Sequence, residues 1–449
     1  MRRYPLAARG LSAAAALAVL CALPGAAADP TPPAGFTALF NGKDFTGWHG
    51  WAIHAKGGSP ADVARMSPEE REKAVAAWTE DMKKNWTIEN GELVNRGKGA
   101  YLTTDKDYGD VEFLIEYKIA PGVDSGIYMK TMPQVQVWDP ADKDPGDRLG
   151  KAKGSGGLWN NSKGSPGKDP LVRADKPAGE WNRFRIIMVG ERVTVYLNDQ
   201  LVVNNARLEN FWDKKSPLPA KAPILLQTHP PEREIRWRNI FIREIPVDEA
   251  NDILRKADAS GFEPVFNGKD FDGWAGPVDN YQVKDGAIVC KPGKGGTIFT
   301  KGEYGDFVAR VEYKLPPGGN NGLAIRYPGQ GDTAYVGMCE VQVLDDTSPK
   351  YTKIDPRQAN GSVYGIVPAK RGYLRPTGEW NFEEVTVKGP TIKVELNGTV
   401  ILDADVSKVT EYMAKSPHPG KDRTSGHFGF AGHNDPVAFR NVAIKPLGK

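Results

Sequence analysis

Cysteine is scarce in this chain, with three in 449 residues at Cys21, Cys290 and Cys339. So few thiols exclude a disulfide framework and a paired-cysteine zinc site. Neither a Gly-x-Ser-x-Gly elbow nor a phosphate-cradling glycine loop is present, which removes several common enzyme classes. Excess charge is missing too, because 59 Lys and Arg stand against 56 Asp and Glu. No nucleic-acid partner is expected from that balance. The longest apolar run, Leu11 to Leu23, is too short for a membrane span.

That run follows Arg2 and Arg3 and precedes Ala26-x-Ala28, so residues 1–28 read as a signal peptide removed before Asp29. The arginine pair leaves twin-arginine export open beside the general route. The mature chain is then exported, periplasmic or secreted, without membrane insertion. Cys290 and Cys339 remain in it, and the sequence leaves open whether they are bonded; neither looks catalytic.

What is abundant is glycine, proline and tryptophan, at 50, 35 and 11 residues, set between short apolar runs. Phe-Asn-Gly-Lys-Asp-Phe-x-Gly-Trp occurs twice, at Phe40–Trp48 and Phe266–Trp274. Later blocks recur in the same order. Ile115-Glu-Tyr-Lys118 matches Val311-Glu-Tyr-Lys314, Gly179-Glu-Trp-Asn182 matches Gly378-Glu-Trp-Asn381, and Arg238-Asn239 matches Arg440-Asn441. Each half is therefore one structural unit, 35–245 and 261–447, joined by a linker at 246–260. Alternating strands such as Val193–Leu197 and Ile392–Leu396, each followed by an Asn turn, predict an all-β chain of two sandwiches.

The first copy carries an insertion at about 50–85, since 38 positions separate Trp48 from Trp86 but 7 separate Trp274 from Tyr281. Ser67-Pro68-x-Glu70 reads as a helix start, with Val75, Trp78 and Met82 on one stripe. This helix either packs on the sandwich edge or the other repeat, or is a solvated ornament.

Polar residues recur on one strand of each copy. In Cys339–Asp345, alternation turns Cys339, Val341 and Val343 to the core and Glu340 and Gln342 away. A hairpin with Gly322–Arg326 brings Arg326 beside Glu340. The first copy offers Lys130, Gln134, Gln136 and Trp138, its hairpin joined only by Thr131–Pro133. Such a face either meets water, as half of most antiparallel sheets do, or binds a sugar through amide, cation and aromatic groups. His229 and His433 take matching places and suit either core hydrogen bonding or proton transfer and metal ligation. His49, His54, His418 and His427 have no counterpart and read as surface or loop residues. Tyr364, opposite Trp159, either stacks on a sugar or closes the sandwich end.

The opening Leu39–Trp48, Asn321-Gly-x-x-x-Arg326, Glu340-x-Gln342-x-x-Asp345, Glu379-Trp-Asn381 and Phe439-Arg-Asn441 together resemble the 3-keto-disaccharide hydrolase family. The family is also described as 3-keto-glucoside 1,2-lyase and 3-keto-2-hydroxy-glucal hydratase. The resemblance covers both repeats and implies concanavalin A-like jelly rolls and an exported bacterial enzyme of sugar breakdown. It implies removal of the C2 proton, elimination at C1 and hydration of the enone. On it, Glu340 and His433 share acid and base duty, Arg326 stabilises the enolate, and Gln342, Asn321 and Tyr364 hold the sugar. A divalent metal on Glu340 and His433 is the alternative to Arg326. Because Gln134 cannot act as a base, the second repeat is expected to be catalytic. The first is expected to bind sugar through Lys130, Gln134, Gln136, Trp138 and His229, or to be a structural partner. The competing functions are a non-catalytic carbohydrate-binding protein and a conventional glycoside hydrolase. Oligomeric state is left undetermined.

Overall fold

A computed structural model describes residues 31–142 and 145–448. The expected signal segment 1–28 lies outside these residues. Each repeat is a jelly-roll sandwich of an eight-stranded and a five-stranded antiparallel sheet. The five-stranded sheet of the first repeat runs in the order Trp48–Trp51, Tyr101–Thr104, Leu225–Leu226, Asp124–Tyr128, Gln134–Trp138. In the second repeat the order is Trp274–Ala275, Gly295–Tyr304, Gly426–His433, Asn320–Tyr327, Cys339–Leu344.

Alternation builds the core of each sandwich. Phe113, Ile115, Tyr117, Phe184, Ile186 and Trp237 fill the first, and Val311, Tyr313, Val385, Phe428, Phe430 and Phe439 the second. Area removed from water at about 25 cal/mol per Å² makes these clusters the main source of stability. The repeated Phe-Asn-Gly stretch belongs to this framework. Asn41 Oδ1 accepts from the Lys43 and Asp44 amides, and Trp48 Nε1 donates to Leu39 O at 2.7 Å. Asn267 and Trp274 repeat those bonds in the second copy.

The insertion helix spans Pro68–Asn85, with Ser67 and Glu70 forming the capping box. It packs on the sandwich edge strand Trp48–Trp51, where the Gly50 amide donates to Thr79 Oγ1 at 3.1 Å. A Cβ at Gly50 would lie 2.1 Å from Trp78 O, so only glycine admits the helix this closely. The linker between the repeats holds a ten-residue helix, Val247–Lys256. Its Ala250 and Leu254 are buried with Val189 of the first repeat and Phe382 of the second. Arg192 forms a two-bond ion pair with Glu395 across the same junction. The two cysteines are free and buried, so no disulfide joins them. Among the described residues, no helix is long and apolar enough to cross a membrane.

One core position breaks the symmetry. Phe184 pairs with Ile115 and stacks on Tyr117 in the first repeat, whereas Glu383 takes the matching place opposite Val311. Glu383 is fully buried and burial pushes its pKa up to about 8, against a smaller downward pull from the Tyr313 hydroxyl. A raised carboxyl contributes its full stability below its ordinary value of 4.5 and loses it as pH rises towards about 8. At about 1.4 kcal/mol per pH unit the swing is on the order of 5 kcal/mol. Glu383→Gln should therefore gain stability relative to the parent between pH 5 and pH 8, read as the difference in denaturation midpoints. A constant difference across that range refutes this account.

Candidate functional site

The strands Asn320–Tyr327 and Cys339–Leu344 pair with Gly322 opposite Gln342 and Ala324 opposite Glu340. This register turns Glu340 and Gln342 to the same face, away from the core that holds Cys339, Val341 and Val343. The Glu340 side chain folds over the bare backbone of Gly322, where a Cβ would lie 2.0 Å from Oε1. Glycine there makes room for the carboxylate.

Above this sheet lies a cavity of about 190 Å³ lined by Asn320, Asp332, Tyr335, Glu340, Gln342, Tyr364 and His433, among others. Glu340 Oε1 is 3.7 Å from His433 Nε2. The carboxyl is 5% exposed and the imidazole 49%, so one partner is sheltered and the other reaches solvent. Burial raises the Glu340 pKa, while His433 acts in the opposite direction. The nearby Glu340 carboxylate in turn raises that of His433 against the cost of burying a cation. Gln342 Nε2 donates to Asn320 Oδ1 at 2.8 Å. Tyr364 accepts from Gln358 Nε2 at 3.2 Å, which leaves its own proton to donate. Its backbone amide donates to Glu340 O at 2.9 Å and holds this segment against the strand.

Glu340, His433, Gln342 and Tyr364 are thus brought together, as the sequence predicts. Arg326 is not. A left-handed φ of 47° at Arg326 breaks the alternation, and the guanidinium is buried. It donates to Gly305 O, Gly389 O, Arg423 O and Asp306 Oδ1. This arrangement assigns it to loop anchoring and corrects its expected role at the enolate. Lys130 repeats the pattern, with φ 51°, a buried side chain and Nζ donating to Gly190 O at 2.8 Å. Burial brings its pKa down to about 8. It too is an anchor rather than a sugar ligand. Asn321 is also corrected: it pairs with Val343 on the core-facing side, and Asn320 lines the cavity instead.

Sequence reasoning missed Asp332, Tyr335 and His418. The first two sit on an overhang containing the short helix Thr333–Val336, which Asp332 caps by accepting from the Ala334 amide at 3.2 Å. His418 is buried, not on the surface. Its Nδ1 donates to Ala334 O at 2.9 Å and its ring packs 4.9 Å from Tyr335. The signal available was hairpin length, Tyr327–Cys339 in the second copy against Thr131–Pro133 in the first.

In the first repeat Gln134, Gln136 and Trp138 are buried on the matching strand, and His229 is exposed at the matching place. Gln134 Nε2 donates to Gln136 Oε1, and Gln136 Nε2 donates to Asp124 Oδ1 at 2.8 Å. Glu340 and His433 supply two donors for a divalent metal. Among the described residues, however, no group of three or more His, Cys, Asp or Glu side chains could hold one. That donor set falls short of the three or four ligands of an ordinary protein site, so no step is drawn through a metal.

If Arg326 is an anchor, Arg326→Ala should destabilise the fold by roughly 1–3 kcal/mol, because Asp306 and three backbone carbonyls lose their buried partner. Chemical denaturation reads this directly. A variant of unchanged stability with lost turnover would return Arg326 to the site.

Comparison with known proteins agrees with the repeat. The family model described as the 3-keto-alpha-glucoside-1,2-lyase-like domain matches residues 35–243 and 261–445. The 3-keto-disaccharide hydrolase of Bacteroides thetaiotaomicron is 25% identical over 250 residues, covering 46% of this chain and 86% of the relative. A crystallised protein of Parabacteroides distasonis with glycosyl hydrolase in its name is 27% identical. The match covers 42% of this chain and 96% of that one, with a TM-score of 0.38. A carbohydrate-binding module from Bacillus subtilis is 14% identical, over 38% of this chain and 95% of the module, with a TM-score of 0.26. With both halves matched in the order that the internal repeat sets, the chain belongs to the 3-keto-alpha-glucoside-1,2-lyase-like family as two tandem copies.

Proposed function

We propose that the second repeat cleaves 3-keto-glycosides, 3-keto-disaccharides among them, by elimination followed by hydration. The observation that carries this reading is the sheltered Glu340 carboxylate 3.7 Å from the His433 imidazole in one cavity. A ketone at C3 acidifies the C2 proton. Glu340 removes that proton, the electron pair moves onto the enolate and then into the C1–C2 bond, and the C1–O bond breaks. The departing oxygen takes a proton from His433. Water then adds at C1 of the enone and gives a proton to the neutral imidazole, while Glu340 returns its proton to C2.

This cycle suits a sheltered carboxyl beside an imidazole that reaches solvent. Carboxylate and imidazolium become carboxylic acid and imidazole, then revert, and the pair carries no net charge in either state. While the enolate stands, its own negative charge balances the imidazolium, so the site holds no uncompensated charge at any stage. The Tyr364 hydroxyl, its oxygen already accepting from Gln358, donates to the enolate in place of Arg326. Gln342 Oε1 is buried without a protein partner, and a sugar hydroxyl would satisfy it.

A second reading, conventional glycoside hydrolysis, is favoured by one observation. Asp332 lines the same cavity and supplies the second carboxylate that such hydrolysis needs. Its Oδ1 caps the overhang helix, which leaves Oδ2 for that role. The substrates separate the two readings: 3-ketomaltose should turn over at least a hundredfold faster than maltose, and equal rates would establish the second reading.

A positioned proton transfer contributes about 10²–10⁴-fold. Glu340→Gln should therefore lower kcat/KM on 3-ketomaltose at least tenfold with the fold intact by circular dichroism. Wild-type turnover in that variant would remove Glu340 from the mechanism. For the parent enzyme, kcat/KM should be bell-shaped in pH, needing Glu340 ionised and His433 protonated. Because both pKa values are raised, the acid limb should fall above 4.5 and the alkaline limb above 6.5. Both limbs belong to the coupled pair, and a profile flat from pH 4 to 9 contradicts it.

A further inference from the structure

In the second repeat the carboxylate is Glu340, and the neighbouring strand brings the amide of Asn320 into the same cavity two pairs along the register, beyond Gln342. The first repeat has the same register, with Gly126 opposite Gln136 and Asp124 opposite Trp138. Gln134 then stands where Glu340 stands, and Asp124 stands where Asn320 stands. The connecting bond is kept as well. Gln136 Nε2 donates to Asp124 Oδ1 at 2.8 Å, as Gln342 Nε2 donates to Asn320 Oδ1 at 2.8 Å. Acid and amide have exchanged strands.

The exchange follows the available space. Tyr128 occupies the place of Ala324, and its ring lies 5.4 Å from Tyr101 and 6.3 Å from His54. Its hydroxyl accepts from Gln227 Nε2 at 3.1 Å. Trp212 packs on His54 at 5.6 Å. These rings cover the ground above Gln134, which is 3% exposed. Asp124 begins its strand and remains partly exposed. Burial raises its pKa, and the exposed His229 pulls electrostatically against that rise. His229 Nδ1 donates to Pro230 O at 2.6 Å, so Nε2 is the free nitrogen. Trp159, partly exposed in the place of Tyr364, meets Trp138 edge-on at 5.3 Å and carries Lys168 Nζ over its ring at 4.0 Å.

We propose that the first repeat is a second active centre for 3-keto-glycosides, with Asp124 as the base and His229 as the acid. The inference rests on the elimination–hydration reading of the second repeat. The C2–H bond breaks and its proton passes to Asp124. The electron pair forms the C1–C2 double bond, the C1–O bond breaks, and the departing oxygen takes the His229 proton. Water adds at C1, reprotonating His229, and Asp124 returns its proton to C2.

The test is turnover of 3-ketomaltose by the full chain. Glu340→Gln isolates the first repeat, and a residual rate above that of buffer is expected. Adding Asp124→Asn should lower this residue at least tenfold. Asparagine is the residue the second repeat carries at that place, so the fold accommodates it. The proposal is overturned if Glu340→Gln has no rate above buffer, or if Glu340→Gln/Asp124→Asn is as active as Glu340→Gln. Wild-type turnover in Glu340→Gln would overturn the assignment of the second repeat alone. Loss on adding Asp124→Asn would then still establish the first.

Discussion

The site depends on one antiparallel register, Gly322 against Gln342 and Ala324 against Glu340. A slip of one residue would turn Glu340 and Gln342 into the core and bring Cys339, Val341 and Val343 to the cleft. The apolar face holds the register, because those three side chains are wholly buried. Gly322 then does what no other residue can, since any Cβ would occupy the space of the Glu340 carboxylate. Packing on one side of the strand fixes the chemistry on the other.

The same scaffold appears twice with different furniture. In the second repeat, the long hairpin carries Asp332 and Tyr335 over the sheet and His418 supports it from below. The close approach of Gly420 to Val336, where a Cβ would lie 2.1 Å from its carbonyl oxygen, locks that support in place. The first repeat has a short hairpin and an insertion helix, and Tyr128 with Tyr101 fills what Ala324 leaves open. Small and large residues at one register position thus decide how much of the concave face is accessible.

The repeated cation illustrates how repetition can mislead. Arg326 and Lys130 recur because each sandwich needs a buried donor to hold backbone carbonyls, Gly389 O among them in one repeat and Gly190 O in the other. An unpartnered buried carbonyl such as that of Gly190 costs roughly 1–3 kcal/mol, and in the other repeat the Arg326 guanidinium is itself buried and needs acceptors, which is reason enough for each cation. Repetition in a tandem protein marks what the fold requires as readily as what the reaction requires.

The sequence by itself determined the two repeats, the sandwich class, the insertion helix with its Ser67 cap, and the face shared by Glu340 and Gln342. Each follows from local periodicity, turn chemistry or direct self-comparison. It also placed His433 and Tyr364 as candidates by their position in the repeat. Only the tertiary structure decided which of these meet. The left-handed backbone at Arg326 removes it from the face that alternation predicts, and a one-position difference puts Asn320 rather than Asn321 in the cavity. Asp332, Tyr335, the buried place of His418 and the part of Asp124 were invisible for a shared reason. Their surroundings come from segments distant in the chain, and sequence periodicity reports the face a residue occupies but not what folds over that face.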